Sequence, residues 1–223
     1  MYQTPYGKLK PKTRKPYTEI FLIRHCHPDY TQEKVVGEAN MPLSKHGLKQ
    51  RRYLTNKLLE LGMDKEYASE LKRAQETAAA YIKKINRPLL IDARLNEINW
   101  IHWLRIKYFN TSEQVRPTKV RNHKELDKQL DKMQAMARRT LASIYKKNKG
   151  QKVALFTHGN FIKSLITGII NADVIGFLSL EIFQSSITKL VIDRDGYVKI
   201  AYINDVSHLP SPPSEDLFVT LID

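Results

Sequence analysis

Short apolar runs alternate along this chain with longer amphipathic segments, and this order limits the folds that it can adopt. Residues 18–24 are predicted to form a buried strand. A helix is then predicted from Ser44 to the residue before Gly62, with four leucines on one face: Leu48, Leu54, Leu58 and Leu61. A short strand near residues 66–70 leads into "RAQETAAAYIKK", which the alanines favour as a helix.

The second half of the chain repeats this order. "RPLLIDARL" is predicted to be extended, and a long helix is predicted from about His123. The apolar residues of this helix are spaced by threes and fours: Leu126, Leu130, Met133, Ala137, Leu141 and Ile144. "QKVALFTHGN" is a second buried strand before the helix "FIKSLITGII", and a hairpin turning at Asp195-Gly196 follows. Strands that alternate with helices predict an α/β domain with a largely parallel sheet, to which the hairpin adds an antiparallel edge.

Length and composition indicate one globular domain. The chain has 223 residues, of which 42% are hydrophobic and 27% charged, and this is the range of ordinary globular proteins. We expect a basic N-terminal tail over residues 1–17, a single domain over 18–209 and a C-terminal tail over 210–223. Residues 98–122, which are irregular and aromatic, are predicted to be an insertion in that domain.

Most of the excess positive charge lies in two segments. Residues 1–17 contain five Lys or Arg and no acid, and residues 116–149 contain eleven against three acids, so these segments hold 5 + 8 = 13 of the 14 excess charges. A basic surface can bind nucleic acid or an anionic membrane, or attract a phosphorylated substrate. It can equally be a solvated helix face and a tail. Nucleic-acid binding is not favoured, because charge is its only support and no recognisable binding module is present.

The sequence predicts a soluble, cytoplasmic protein. It contains no run of 18 apolar residues, and its first 17 residues lack the apolar core of a signal peptide. The single cysteine, Cys26, excludes an intrachain disulfide and a site built from several thiolates. The oligomeric state stays open, because the amphipathic helices can pack internally or at an interface.

Basic side chains follow three of the predicted strands. Arg24 and His25 come directly after the first strand, Arg73 follows the second, and His158 follows "VALFT". The carboxyl ends of parallel strands face one crevice, and helix starts there already favour an anion. Arginine forms bidentate hydrogen bonds with phosphate oxygens, while histidine can donate, accept or attack. The convergent prediction is a phosphate pocket.

The same segments carry a resemblance to the histidine phosphatase superfamily, the phosphoglycerate-mutase-like enzymes. "LIRHCHPDY" resembles its Arg-His-Gly signature, "NMPLSKHGLKQ" its Pro-Leu-Ser/Thr...Gly segment and "ASELKRAQETA" its Ser...Arg-Ala...Thr-Ala segment. "RLNEI", "LFTHGNFIKSL" and "INDVSHL" are similar to its Leu-x-Glu, second His-Gly and Asn...His-Leu segments. The six matches occur in the family's order over residues 18–209. The resemblance implies a three-layer α/β/α sandwich, with the insertion over the active site.

The resemblance also implies roles for five residues. His25 would be the nucleophile that becomes phosphohistidine, and Arg24, Arg73 and His158 would bind the transferred phosphoryl group. Glu97 matches the family's acid, which would protonate the leaving group and later deprotonate water. No metal or other cofactor is implied; a metal site at His25 and its neighbours is disfavoured, since no third and fourth ligands occur at suitable spacing.

The sequence departs from the family pattern near the nucleophile. Cys26 replaces the usual glycine, and we interpret it as a small filler rather than a redox switch. Thr31 stands where many mutases have asparagine. His208 is expected to brace the end of the sheet. Five residues are candidates for substrate contact: His27, Thr31, Trp100, His102 and Arg105.

These observations predict a metal-independent phosphatase that hydrolyses a phosphate monoester of a small molecule or a phosphopeptide. A hydrolase is preferred to a phosphoglycerate mutase, because "INWIHWLRIKYF" lacks the Arg...Tyr-Gly...Gly-Leu-Asn-Lys pattern of the mutases. The mutase activity stays an alternative, as does a catalytically silent protein that binds a phosphorylated or nucleic-acid partner.

Overall fold

A six-stranded sheet organises the part of the chain that the computed structural model describes, residues 15–99 and 124–210. The strands follow the order β3-β2-β4-β1-β5-β6 across the sheet. Their bounds are Thr18–Arg24 (β1), Lys65–Ala68 (β2), Leu90–Ile91 (β3), Lys152–Thr157 (β4), Ile187–Ile192 (β5) and Val198–Asp205 (β6). The first four strands run parallel, and β5 runs antiparallel to both of its neighbours. The predicted parallel sheet with an antiparallel hairpin at its edge is confirmed.

Helices cover both faces of this sheet. The α-helices are Glu33–Val36 (α1), Lys45–Leu61 (α2), Lys72–Ile85 (α3), Lys124–Lys147 (α4), Gly159–Ile170 (α5) and Val174–Ser179 (α6). Apolar residues of α2 and α3, including Leu54 and Tyr81, pack with Phe21 of β1 on one face. Residues of α4 and α5, including Leu141 and Phe161, pack on the other face. This arrangement is the predicted three-layer α/β/α sandwich.

The central helices begin and end where the sequence indicated. The Ser44 side chain accepts a hydrogen bond from the Gly47 amide at the start of α2, and Gly62 ends the helix with φ +62°. One detail was wrong: Leu48 does not lie on the buried face of α2, since it is 42% exposed. The buried face of α2 runs along Gly47, Gln50, Leu54 and Leu58, and a separation of six residues places Leu48 about a third of a turn away from Leu54.

Short elements between the helices and strands were not predicted. Three 3-10 turns occupy Tyr30–Gln32, Glu38–Asn40 and Ala93–Leu95. The extended segment "RPLLIDARL" contains a strand of only two residues, β3, before the last of these turns. Two of the turns lie in the crevice region, and they place Glu38 and Glu97 beside the arginines described below.

Several predictions concern residues outside this description. These are most of the basic tail, most of the insertion and the C-terminal tail, and the domain limits therefore stay predictions. Trp100, His102 and Arg105 also lie outside the described residues. Within residues 15–99 and 124–210, no helix is both long enough and apolar enough to cross a membrane.

Candidate active site

The register of the two central strands brings two histidines together. β1 and β4 are parallel, and Arg24 pairs with Thr157 at their carboxyl ends. His25 and His158 are the next residues on each strand, and the His25 amide donates to the Thr157 carbonyl at 2.9 Å. The centroids of the two imidazole rings are 5.1 Å apart. The crevice predicted from the strand ends therefore contains both histidines side by side.

A backbone hydrogen bond fixes the tautomer of His25. Its Nδ1 lies 2.8 Å from the Cys26 carbonyl oxygen, and a carbonyl can only accept, so Nδ1 carries the proton. Burial lowers the pKa of His25 well below its ordinary value of 6.5, and the charges of Arg24 and Arg73 lower it further. The ring is consequently neutral near pH 7, with an unprotonated Nε2.

His158 is held through its other ring nitrogen. Its Nε2 lies 2.7 Å from the Ser69 hydroxyl, and that hydroxyl oxygen also accepts from the Leu71 amide. The simplest assignment has Ser69 donating to Nε2, which leaves the proton on Nδ1. That Nδ1 is buried and has no hydrogen-bond partner among the described residues. Burial lowers the pKa of His158, so the neutral ring offers one unused donor.

Arg24 lies against the start of α5. Its Nη1 donates to the Ile182 carbonyl and is 3.6 Å from a Glu181 carboxylate oxygen, while its Nε is buried and unpartnered in the described structure. A Cβ at Gly159 would stand 3.3 Å from both the Cζ and the Nε of Arg24. A side chain at position 159 would therefore crowd the guanidinium, and glycine leaves room for it.

Arg73 enters the crevice from the first turn of α3. Only 5% of its side chain is exposed. Its Nη1 donates to the Glu38 carbonyl at 2.9 Å, and its Nη2 donates to the Glu38 carboxylate at 3.1 Å. The positive charges of Arg24 and Arg73 help to lower the pKa of His25 and of His158, so the two arginines lie near both histidines.

Glu97 lies beside the start of α5, two residues after the 3-10 turn that buries Leu95. Its Oε1 accepts from the amides of Ile98 at 3.0 Å and Asn160 at 3.1 Å. Burial nevertheless raises the pKa of Glu97, against the opposing effect of Arg24. A carboxyl group that gains a proton more readily than usual is suited to donate one.

Comparison with known proteins identifies the fold and the family. The family model "Histidine phosphatase superfamily (branch 1)" matches residues 20–205. The chain belongs to this superfamily. It is 22% identical over 212 residues to "Probable phosphoglycerate mutase GpmB" of Enterobacter sp. (strain 638), covering 89% of this chain and 98% of that protein. It is 26% identical over 217 residues to "Metal-independent phosphoserine phosphatase" of Arabidopsis thaliana, covering 90% and 87%.

A solved structure gives the same fold. The phosphoserine phosphatase of Entamoeba histolytica in complex with 3-phosphoglyceric acid superposes with a TM-score of 0.64 at 19% identity, covering 86% of this chain and 98% of that one. The predicted family and fold class are thus confirmed. The superfamily contains both phosphatases and mutases, so membership by itself does not choose between these activities.

The cysteine in the superfamily signature is buried in an environment that disfavours the reactive thiolate. Cys26 has no exposed surface, its amide donates to the Thr77 hydroxyl at 2.9 Å, and burial raises the pKa of its thiol to about 11. Thiolate is the nucleophilic form, and almost none is present near neutral pH. These properties support the filler interpretation.

The other candidate residues near His25 have local partners. His27 Nδ1 lies 2.9 Å from the Ser44 hydroxyl, and the Thr31 hydroxyl donates to Asp29 at 2.6 Å. Their predicted substrate contacts stay predictions. His208 Nε2 lies 3.1 Å from the Ser185 hydroxyl, and the Ser185 amide donates to the His25 carbonyl, as expected of a bracing residue.

Three residues that the sequence analysis did not single out contact the histidines and arginines of the crevice. Ser69 holds His158, and its position in the quoted "ASELKRAQETA" segment was an available signal. Glu38 and Glu181 contact the two arginines, and no sequence signal distinguishes them from other loop acids. No group of three residues able to ligate a metal occurs in the described ranges.

Proposed function

We propose that this protein is a metal-independent phosphatase that hydrolyses phosphate monoesters through a phosphohistidine on His25. One observation carries the proposal: the hydrogen bond from Nδ1 to the Cys26 carbonyl leaves Nε2 unprotonated. The buried Arg73, the partly buried Arg24 and a second histidine, His158, lie near this nucleophile. A neutral imidazole among fixed positive charges is suited to attack a phosphoryl group.

Binding of the monoester uses the donors around His25. Arg24 and Arg73 supply guanidinium N–H groups, and His158 supplies its Nδ1–H, which is unpartnered in the described structure. The Arg24 Nε is likewise buried without a partner. Charge spreads over the equatorial phosphoryl oxygens during transfer, so donors fixed beforehand lower the barrier.

The first chemical step moves the phosphoryl group to the enzyme. His25 Nε2 attacks phosphorus and forms the P–N bond as the ester P–O bond breaks. The leaving alkoxide would be a strong base, and Glu97 gives it a proton to release the alcohol. The raised pKa of Glu97 supports this role, because a larger fraction of the carboxyl is protonated at a given pH.

The second step regenerates the enzyme. The Glu97 carboxylate now takes a proton from water, and the oxygen of that water attacks phosphorus. The P–N bond breaks, its electron pair returns to Nε2, and inorganic phosphate leaves with Glu97 protonated again. One monoester and one water therefore give one alcohol and one phosphate.

A mutase would pass the phosphoryl group to a second hydroxyl instead of to water. Relatives named as a probable mutase and as a phosphatase match this chain to similar extents. The segment after Glu97 lacks the mutase pattern, and this absence supports the hydrolase. A catalytically silent phosphate-binding protein is opposed by the presence of His25, Glu97 and both arginines.

The test is a phosphate-release screen in EDTA with 4-nitrophenyl phosphate, phosphoserine, a phosphopeptide, sugar phosphates and nucleotides. We expect release by the wild type, acid-labile label on His25 after rapid quenching, and a loss on the order of a thousandfold or more in His25→Ala. His46→Ala removes an exposed histidine of α2 as the matched control. Equal activity of His25→Ala, or a requirement for divalent metal, would refute the mechanism, and isomerisation without phosphate release would favour the mutase.

A further inference from the structure

The carboxylate of Glu38 forms a salt bridge with Arg73, one of the two arginines proposed to bind phosphate. The Glu38 Oε1 lies 3.1 Å from Arg73 Nη2, and 41% of the Glu38 side chain is exposed although the Arg73 side chain is almost buried. The carboxylate thus places a negative charge at the outer edge of the phosphate pocket. None of the phosphoryl-transfer steps above uses this charge.

The position of Glu38 is fixed by its backbone as well as by its side chain. Its carbonyl accepts from Arg73 Nη1 at 2.9 Å, a contact that any residue at this position can make. The preceding residue, Gly37, has φ +76°, which side-chain-bearing residues rarely adopt. Asn99 Nδ2 lies 3.5 Å from the second carboxylate oxygen, so Glu38 lies between Arg73 and the segment that carries Glu97.

The negative charge of Glu38 affects the binding of the alcohol part of a phosphate monoester. Arg73 is already partly neutralised by Glu38, and a second anion on the alcohol part of a substrate would approach a fixed negative charge at close range. An ammonium group in the same place would be attracted. Glu181 stands 3.6 Å from Arg24 in a similar way and is 42% exposed.

We propose that Glu38 is a specificity-determining residue that selects monoesters with a cationic group near the phosphate over those with a second anionic group. This inference rests on the proposed phosphatase function and narrows its substrate class. Repulsion of the wrong substrate is as much a part of selectivity as attraction of the right one.

The experiment compares kcat/KM for O-phosphoethanolamine and 3-phosphoglycerate in the wild type and Glu38→Gln. Glutamine keeps the size of the side chain and an oxygen that can accept from Arg73, but removes the charge. We expect the wild type to prefer phosphoethanolamine and the preference ratio to fall roughly tenfold in Glu38→Gln. The control Glu33→Gln removes the same charge from the exposed helix α1 and should leave the ratio within about twofold.

An unchanged ratio in Glu38→Gln, or a wild type that prefers 3-phosphoglycerate, would overturn the inference. An equal loss with both substrates would assign Glu38 to the general support of Arg73 and would also overturn it. Failure of the phosphatase proposal is distinguishable, since it would appear as no phosphate release from any monoester. In that case the affinities of the wild type and Glu38→Gln for the same two compounds are measured by calorimetry. The ratio of the two affinities is expected to change by the same factor.

Discussion

Replacement of Gly47 by alanine should destabilise this protein, although the same change in an exposed helix would stabilise it. Gly47 lies in the first turn of α2, and a Cβ there would stand 2.1 Å from the carbonyl oxygen of His27. An ordinary carbon–oxygen contact needs more than 3 Å, so the helix or the His27 backbone must move by about 1 Å. His27 directly follows the Cys26 carbonyl that orients His25.

The magnitude follows from the bonds that such a movement disturbs. The His27 carbonyl accepts from the Ser44 amide at 3.0 Å, and the His27 amide donates to Gln50 at 2.8 Å. Loss of both hydrogen bonds costs about 2 kcal/mol, and strain in a packed site adds about 1–3 kcal/mol. The better helix propensity of alanine returns about 1 kcal/mol. The expected net loss in the free energy of unfolding is roughly 2–4 kcal/mol.

Urea denaturation followed by circular dichroism measures this loss. Thermal denaturation gives a second measure: for a chain of this size each kcal/mol corresponds to about 2–4 °C in Tm, so a decrease of about 10 °C is expected. Lys49→Ala, an exposed change two residues further along α2, should stay within about 0.5 kcal/mol of the wild type. A Gly47→Ala protein as stable as the wild type, or more stable, would refute the argument.

Three further predictions concern the histidines, the thiol and the arginine pocket. The folded-state pKa of His25 and of His158 lies below the ordinary 6.5, so the unfolded chain binds more protons below that pH. The free energy of unfolding should therefore fall by at most about 1.4 kcal/mol per histidine per pH unit as the pH is lowered from 6.5 to 5. A free energy of unfolding that stays constant over this range would contradict the prediction. Cys26, with a thiol pKa of about 11, should resist Ellman's reagent at pH 8 until guanidinium is added, and rapid native labelling would show that it is accessible. Gly159→Ala should displace the Arg24 guanidinium by a few tenths of an ångström and thereby lower kcat/KM about threefold to tenfold, with little change in Tm. Unaltered kinetics would show that the guanidinium can move without loss of activity.

The sequence was sufficient to predict the sheet and the four longest helices, α2 to α5, because each depends on local pattern. β1 and β4 are continuous apolar runs buried on both faces, and α4 has its apolar residues spaced for one face. The sequence did not predict the short helices α1 and α6, since helices of this length depend on tertiary contacts. The grouping of Leu48 with the buried leucines was wrong, because Leu48 lies about a third of a turn from Leu54 on α2 and is exposed.

The candidate site likewise contains neighbours that the sequence could predict and a contact that it could not. Arg24, His25 and His158 were predictable as neighbours, because parallel strands must place their carboxyl ends at one edge. Glu38 was not predictable as a contact of Arg73, since 35 residues separate them and their pairing depends on how the loop before α2 meets α3. Acids in loops are ordinary surface residues until the fold places an arginine beside them.

The tautomer of His25 shows why a departure at position 26 is compatible with the proposed chemistry. The group that holds the Nδ1 proton is the backbone carbonyl of Cys26, which every amino acid possesses. The side chain at that position has only to fit in a space without solvent exposure, close to the hydroxyls of Thr77 and Ser185. A thiol is small enough to fit there, and its raised pKa keeps it from competing with Nε2 as a nucleophile. In this chain, position 26 therefore needs only a small residue, for reasons of space, while the tautomer of His25 that the proposed mechanism uses is set by the backbone.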